Sequence, residues 1–258
     1  LVRIAHSHNS NQDKNIKYIM KQHYRKKIPQ FATELFACGK DAGDWMFTGH
    51  RYKILYNAIN TSVYTYSFEK AVTIREKLHV EQNLVIGHVG RFDAQKNHTF
   101  LLDIFSECVN IVPNARLLLV GDGEGRTQIQ EKAKSLGLEE KVIFTGVRND
   151  VADLLQAMDV FVFPSLYEGV PVTMIEAQAS GLPCVISDGV PKDCVITSGL
   201  VTSMKLSDRP CDWAKHIAAQ LNRKRENHLE EIQAAGYDIV TAAKELENFY
   251  LKKYGEES

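Results

Sequence analysis

Two glutamates eight residues apart carry the clearest chemical signal in the sequence. Glu168 and Glu176 lie in the run YEGVPVTMIEAQASGLP at 167–183, directly after the apolar segment VFVFPS. Pro171 suits the first turn of a helix, so we predict a helix N-terminus between the two glutamates. Its free amides and positive partial charge suit a diphosphate. Glu176, somewhat over a turn into this helix, could accept hydrogen bonds from vicinal hydroxyls such as a ribose diol, and Glu168 could face a second polyol.

The elements that would position these residues alternate between strands and helices. Strand-like runs begin near Leu84, Ala115, Val142, Val160 and Pro183, and helical patterns separate them. Each run is largely apolar along its length, which indicates a parallel sheet covered on both faces. We therefore predict a doubly wound, Rossmann-like α/β domain, whose ligands bind at the carboxyl ends of the strands.

The first 60 residues predict a different and incomplete unit. Strand patterns at 2–8, 35–39 and 52–56 flank a basic helical stretch at 14–33 and a short helix at 41–48. This is too little for a whole Rossmann-like domain, and it resembles the second half of one. The segment 57–67 is rich in Asn, Thr, Ser and Tyr and is predicted to link the units, while 238–253 reads as an amphipathic helix. We expect three parts: 1–60, 61–235 and a C-terminal helix at 236–258.

Bulk composition excludes several classes of function. The 31 Lys and Arg residues nearly balance the 32 Asp and Glu residues, so no nucleic-acid partner is expected. No apolar run is long enough to span a bilayer. Five scattered cysteines without metal-ligand spacing favour reduced thiols in the cytoplasm. The chain enters a strand-like segment directly at Leu1, so we expect a piece of a longer protein.

The motifs together resemble family-4 (group 1) glycosyltransferases, which have the two-domain GT-B fold. Glu168 and Glu176 match the family's E-x7-E motif, and EGVPVTMIEAQASGLPCV is most similar to its exopolysaccharide and capsule branch. GRF at 90–92 followed by Lys96 resembles the G-R-x4-K element. GDGEG at 121–125 and FTGVR at 144–148 resemble the loops after the second and third strands of the donor domain. RIAHSHN at 3–9 resembles the end of the acceptor domain.

This resemblance implies a role for each matching residue. Glu176 would bind the ribose hydroxyls and Glu168 the transferred sugar, with a catalytic role shared by His8 or His6 across the cleft. Arg91 and Lys96, after Gly90, would hold the donor diphosphate, and the backbone from Gly169 through Val170, Pro171 and Val172 to Thr173 would add amide donors. Val147 and Arg148 would frame the nucleotide base. Two fixed cations and a helix N-terminus would stabilise the charge that grows on the leaving group, without a metal.

Plainer interpretations remain for each of these features. Two glutamates eight apart also occur on solvated helix faces, and Arg91 and Lys96 could be ordinary surface charges. His6 and His8 could form a metal pair or serve structure alone. The basic residues of the helical stretch, which are Lys14, Lys17, Lys21, Arg25, Lys26 and Lys27, could be solvated or could touch a membrane surface weakly. No Asp-x-Asp pair follows an apolar strand, so we expect no catalytic metal and no cofactor.

The function implied is a retaining glycosyltransferase that uses a nucleotide-sugar donor, which we expect to be a UDP-sugar. The acceptor would be a saccharide or a lipid-linked saccharide at the inner face of the cell membrane. Retention and the lipid-linked acceptor come from the resemblance alone. The family often has Phe-Gly where this chain has Val170-Pro171, and this departure affects the sugar-specific contacts. It often has Asn-Gly-Ile where this chain has Asn-Ala-Ile at 57–59, and that departure affects the hinge geometry. Two alternatives stay open: a GT-B type sugar-nucleotide epimerase, and a nucleotide-sugar-binding fragment without transferase activity.

Overall fold

The computed structural model describes residues 2–8, 16–197, 199–221 and 223–257, and in these residues the strands form two separate parallel sheets. The strands of the smaller sheet are β1 (Ile4–Ser7), β2 (Glu34–Ala37) and β3 (Lys53–Ile54). The strands of the larger sheet are β4 (Leu84–Val89), β5 (Ala115–Val120), β6 (Val142–Gly146), β7 (Val160–Phe163), β8 (Cys184–Ser187) and β9 (Val201–Met204).

Helices connect almost every pair of successive strands. Those of the N-terminal part are α1 (Ile16–Arg25), α2 (Ile28–Phe31) and α3 (Lys40–Met46). The remaining helices are α4 (Thr61–Tyr64), α5 (Phe68–Lys77), α6 (His98–Ile111), α7 (Arg126–Ser135), α8 (Val151–Ala157), α9 (Val172–Ala179), α10 (Pro210–Gln220), α11 (Leu229–Ala234) and α12 (Ile239–Glu257).

The larger sheet has the strand order β6-β5-β4-β7-β8-β9, and all of its described pairs are parallel. The order reverses between β4 and β7, and in such sheets ligands bind outside the carboxyl ends of the two strands at this point. The predicted doubly wound sheet is confirmed, and the structure adds β9 at the edge. The loops that carry Arg91, Lys96 and Glu168 all begin at this reversal.

Burial of both faces of the larger sheet explains why its central strands are largely apolar. Val85 and Leu118 belong to the core on one face of the larger sheet, whereas Ile86 and Leu117 belong to the core on the other face. Successive side chains of a strand point to opposite faces, and helices bury both faces here. A continuous apolar run is therefore the sequence mark of a central strand.

The last helix returns to the smaller sheet. The ring of Phe249 in α12 packs edge-on against Phe36 in β2 at 5.2 Å, and Lys253 Nζ lies 3.0 Å from Glu34 Oε1. The two connections between the units run side by side: Ile59 N donates to Tyr237 O at 2.9 Å, and Ile239 N donates to Ile59 O at 2.9 Å. The predicted linker at 57–67 contains the short helix α4.

The basic stretch predicted as one helix from 14 to 33 is divided in two, which corrects that expectation. The structure ends α1 at Arg25 and starts α2 at Ile28, with Pro29 in its first turn, because proline has no N–H for a continuing helix. Arg25 donates to Trp45 O and stacks on the Trp45 ring at 4.9 Å. Lys14 and Asn9 lie outside the described residues, as do the side chains of Lys17 and Lys21. In the described part of the chain, no helix is both long and apolar enough to cross a bilayer.

Candidate functional site

The loop after β4 is held against the glycine loop after β5 by backbone contacts. Phe92 N donates to Asp122 O at 3.0 Å, and Gly125 N donates to Phe92 O at 2.9 Å. Gly121 has φ +136°, and a Cβ atom there would lie 2.0 Å from Gly90 O. Glycine is therefore required at 121, and the loop 121–125 acts as a packing turn that shapes the loop carrying Arg91.

Arg91 points away from the protein interior. Its side chain is 68% exposed, and the nearest carboxylate oxygen, on Glu124, is 4.0 Å away. Arg91 lines a cavity of about 450 Å³ together with Glu124 and His98. Burial lowers the pKa of His98 to about 4, so this imidazole is neutral near pH 7 and adds no charge. Arg91 is thus a guanidinium that an anion can reach.

Lys96 and Glu168 form a buried ion pair at the reversal of the strand order. Lys96 Nζ lies 2.7 Å from Glu168 Oε1, with side-chain exposures of 16% and 6%. Gln95 Nε2 donates to Glu168 Oε2 at 3.1 Å and to Tyr167 O at 2.9 Å. Lys96 Nζ also lies 4.6 Å from the centre of the Phe163 ring. These contacts join the loop after β4 to the loop after β7.

The loop after β7 delivers the N-terminus of α9 to the same edge. Pro171 is the N-cap, and the helix begins at Val172, one residue later than expected. Pro171 has no N–H, so it cannot supply one of the expected amide donors, and those of Gly169, Val170, Val172 and Thr173 remain. Across the crevice between the units, a Cβ atom on Gly39 would lie 2.9 Å from a methyl carbon of Val170. Val170 therefore packs against the smaller sheet's side of the molecule.

Glu176 lies in a second part of the crevice, a little over one turn into α9. It lines a cleft of about 600 Å³ with Tyr64 from α4 and with Asp150 at the start of α8. Tyr64 Oη donates to Glu176 Oε1 at 2.6 Å. Burial raises the pKa of Glu176, and the hydrogen bond from Tyr64 opposes this shift. A half-buried carboxylate with a cleft beside it can accept hydrogen bonds from ligand hydroxyls.

The loop after the edge strand β6 reaches the same cleft. Arg148 is fixed by Asp150, with Nε 2.7 Å from Oδ1, and this pair raises the pKa of Arg148 and lowers that of Asp150. Val147 is 80% exposed. Together they leave an apolar surface beside a neutralised charge pair, which is a suitable wall for a flat heterocycle.

The smaller sheet brings the two histidines to the other side of the crevice. A Cβ atom on Gly169 would lie 3.6 Å from the carbonyl oxygen of His8, so β1 ends next to the loop after β7. His6 stacks on Phe36 at 5.3 Å and on His8 at 6.1 Å. Burial and His8 lower the pKa of His6. Of the two histidines, His8 is the one that follows the strand end and borders the crevice.

The expected donor-side residues are thus brought to one edge of the larger sheet, but not into one cluster. Lys96 contacts Glu168 directly, whereas the cleft at Glu176 and the cavity at Arg91 are lined by different residues. Sequence reasoning missed Gln95 and Tyr64. Gln95 could have been noticed beside Lys96, but Tyr64 comes from the linker, 112 positions before its partner. Within the described residues, no group of three or more His, Cys, Asp or Glu side chains could hold a metal ion.

Two curated proteins illustrate how similar this chain is in sequence to known glycosyltransferases. The chain is 36% identical over 261 residues to the putative glycosyltransferase EpsF of Bacillus subtilis, covering 96% of this chain and 68% of EpsF. It is 29% identical over 150 residues to the UDP-Gal:alpha-D-GlcNAc-diphosphoundecaprenol alpha-1,3-galactosyltransferase of Escherichia coli, covering 57% of this chain and 39% of that enzyme.

Among solved structures, the crystal structure of Anabaena Alr3699/HepE in complex with UDP and glucose superimposes with a TM-score of 0.82. Its sequence identity is 21%, and the match covers 96% of this chain and 70% of HepE. This similarity shows the fold. The family model described as glycosyl transferases group 1 matches residues 83–223, which include β4 to β9 and the donor-side residues from Gly90 to Glu176. With more than half of its length matched by that model, the chain belongs to the group 1 glycosyltransferases.

Proposed function

We propose that this glycosyltransferase takes its sugar from a UDP-sugar and passes it, with retained anomeric configuration, to a saccharide or lipid-linked saccharide in polysaccharide assembly. One observation carries the proposal: the buried Lys96–Glu168 pair lies beside the N-terminus of α9, and Glu176 follows a turn later on that helix. The printed names of two similar proteins add support, since HepE was crystallised with UDP and glucose and the Escherichia coli relative uses UDP-Gal.

The proposed donor lies along the carboxyl edge of the larger sheet. Glu176 accepts hydrogen bonds from the ribose hydroxyls inside its cleft, and Val147 and Arg148 border the base. The diphosphate lies between Arg91, Lys96 and the free amides at the start of α9. This order places the anionic part of the donor at a helix N-terminus, where backbone dipoles favour negative charge.

The chemistry follows from where charge develops. As the bond between the anomeric carbon and the phosphate oxygen breaks, negative charge grows on the nucleoside diphosphate. Fixed cations and amides stabilise that charge without reorganising, and losing one of them costs roughly 10² in turnover. In this proposal Glu168 contacts the transferred sugar while it pairs with Lys96, and His8, which follows β1 and approaches Gly169, borders the same crevice.

The acceptor is proposed to enter from the side of the smaller sheet. The chain spans 68% of EpsF and 39% of the Escherichia coli galactosyltransferase, so the acceptor site of a whole protein is a proposal here. A lipid-linked acceptor would suit a weak peripheral contact with an anionic membrane. Lys26 and Lys27 are exposed next to the exposed rings of Tyr24 and Phe31, which supports that contact. Co-sedimentation with anionic but not with zwitterionic vesicles would be the expected result.

Thermal-shift screening against UDP-, GDP- and ADP-sugars tests the donor proposal. A UDP-sugar should raise the melting temperature most, and Glu176→Ala and Arg91→Ala should each abolish that rise. Mutants that both respond like the wild type would show that the donor binds elsewhere. A donor-hydrolysis assay then distinguishes a transferase from a protein that only holds the nucleotide.

A further inference from the structure

The interdomain linker reaches into the donor cleft through one side chain. Tyr64 is the last residue of α4, and its hydroxyl lies 2.6 Å from Glu176 Oε1. In the described part of the chain, no side-chain or backbone donor is found on Glu176 Oε2. A carboxylate offers about four acceptor positions, so one donor leaves room for ligand hydroxyls.

The helix that carries Tyr64 is itself fixed at its other end. Thr61 Oγ1 donates to Asp238 Oδ1 at 2.8 Å in a buried contact, and Gln233 Nε2 donates to Thr61 Oγ1 at 3.3 Å. Gln156 Nε2 donates to Tyr64 O at 3.4 Å. The backbone that carries Tyr64 is therefore held in place by contacts that do not involve Glu176.

We propose that Tyr64 is a positioning residue for the nucleotide donor: its hydroxyl holds one oxygen of Glu176 in a fixed position and leaves the second oxygen for the ribose diol. This role rests on the proposed function, because Glu176 must bind the donor for its orientation to matter. Tyr64 touches Glu176 and is not itself assigned a step in the reaction.

The electrostatics of the cleft explain why Glu176 needs the hydrogen bond from Tyr64. Burial raises the pKa of Glu176, and the Tyr64 hydrogen bond is the contribution that lowers it. The nearby charges are already paired: Lys70 lies 3.8 Å from Asp153, and Arg148 holds Asp150. Lys70, Asp150 and Asp153 line the cleft together with Glu176, and α11, which packs against α9, carries Glu230 and Glu231. Without Tyr64, protonation of Glu176 would begin at a higher pH.

Tyr64→Phe removes the hydroxyl and keeps the ring. We expect it to weaken the affinity for UDP about 10-fold at pH 6, since hydrogen bonds to charged groups are among the stronger ones. The weakening should be smaller at pH 8 than at pH 6, because the lower proton concentration leaves more of the Glu176 carboxyl ionised in the variant. The ionisation of UDP is common to both proteins and cancels in the ratio. Calorimetric titration of the full chain with UDP measures these affinities.

Tyr52→Phe is the matched control. Tyr52 Oη donates to Asp44 Oδ1 at 2.7 Å, an equivalent bond on the smaller unit. This variant should bind UDP like the wild type at both pH values. In Tyr64→Phe/Glu176→Gln, the pH-dependent part of the Tyr64 effect should vanish, because Gln does not titrate.

A measurement without ligand separates this proposal from the proposed function. The carboxyl carbon of Glu176, assigned by its absence in Glu176→Gln, is followed by NMR during a pH titration. The midpoint should be higher in Tyr64→Phe than in the wild type and unchanged in Tyr52→Phe. An unchanged midpoint, or equal UDP affinities of Tyr64→Phe and wild type, would overturn the role of Tyr64. A wild-type chain that does not bind UDP would instead overturn the proposed donor.

Discussion

Replacing Lys96 by Met should destabilise the protein through the partner it leaves behind. The pair is separated by 2.7 Å, and Glu168 is 6% exposed. At an effective dielectric constant of about 20, this distance corresponds to an attraction of about 6 kcal/mol, before desolvation is subtracted. Removing one member of a buried pair typically costs 3–5 kcal/mol. Glu168 keeps its hydrogen bond from Gln95, so we expect the free energy of unfolding to fall by about 3 kcal/mol, near the lower end of that range.

Thermal melting of a double-mutant cycle measures this energy. For a protein of this size, about 3 kcal/mol corresponds to a fall in melting temperature of roughly 6–12 °C. Glu168→Gln added to Lys96→Met should recover about 2 kcal/mol, because the unpaired charge is gone. Lys244→Met is the control: its partner Glu247 lies at a similar distance, 2.8 Å, but the side chains are 67% and 57% exposed. That control should change stability by less than about 0.5 kcal/mol. A loss below about 1 kcal/mol for Lys96→Met, or additive effects in the cycle, would refute the reasoning.

Three further outcomes follow from particular side chains. Arg91→Ala should leave the melting temperature within about 2 °C of wild type, because this arginine is exposed. It should nevertheless lower turnover of the donor by a factor of roughly 10². Turnover equal to that of the wild type would contradict the role of Arg91. Glu176→Gln should raise the melting temperature at neutral pH while weakening UDP binding. Burial raises the pKa of Glu176, so the stability that this carboxyl contributes in acid is lost as the pH rises through its pKa in the folded protein. A lower melting temperature of the variant would count against this reasoning. Gly121→Ala should lower the free energy of unfolding by at least about 3 kcal/mol, because its Cβ would meet Gly90 O. Gly137→Ala, at φ +67° with open space around it, should lower it by about 1 kcal/mol. Similar losses for the two variants would contradict the packing role of the glycine loop.

The larger sheet could be predicted because burial on both faces affects every residue of a strand. The runs 84–89 and 115–120 are apolar apart from His88 and Arg116, and their length of six residues favours a strand over a buried helix. The helix start after β7 was also predictable, to within one residue, from Pro171. β9 was missed because VTSM contains two polar residues and gives no continuous apolar run.

The contacts within the site were harder to predict, because they join distant parts of the chain. The type and spacing of Lys96 and Glu168 suggested a common location, but their direct pairing depends on how two loops meet. Tyr64 lies in a linker rich in polar residues, and nothing near it in sequence indicates a carboxylate partner. The division of the basic stretch into α1 and α2 could have been predicted from Pro29.

A crystal structure of the chain with UDP bound tests the central claim most directly. We expect the ribose hydroxyls within about 3 Å of the Glu176 carboxylate and the diphosphate between Arg91, Lys96 and the first amides of α9. A nucleotide bound away from the carboxyl ends of β4 and β7, with no contact to Glu176, would contradict it.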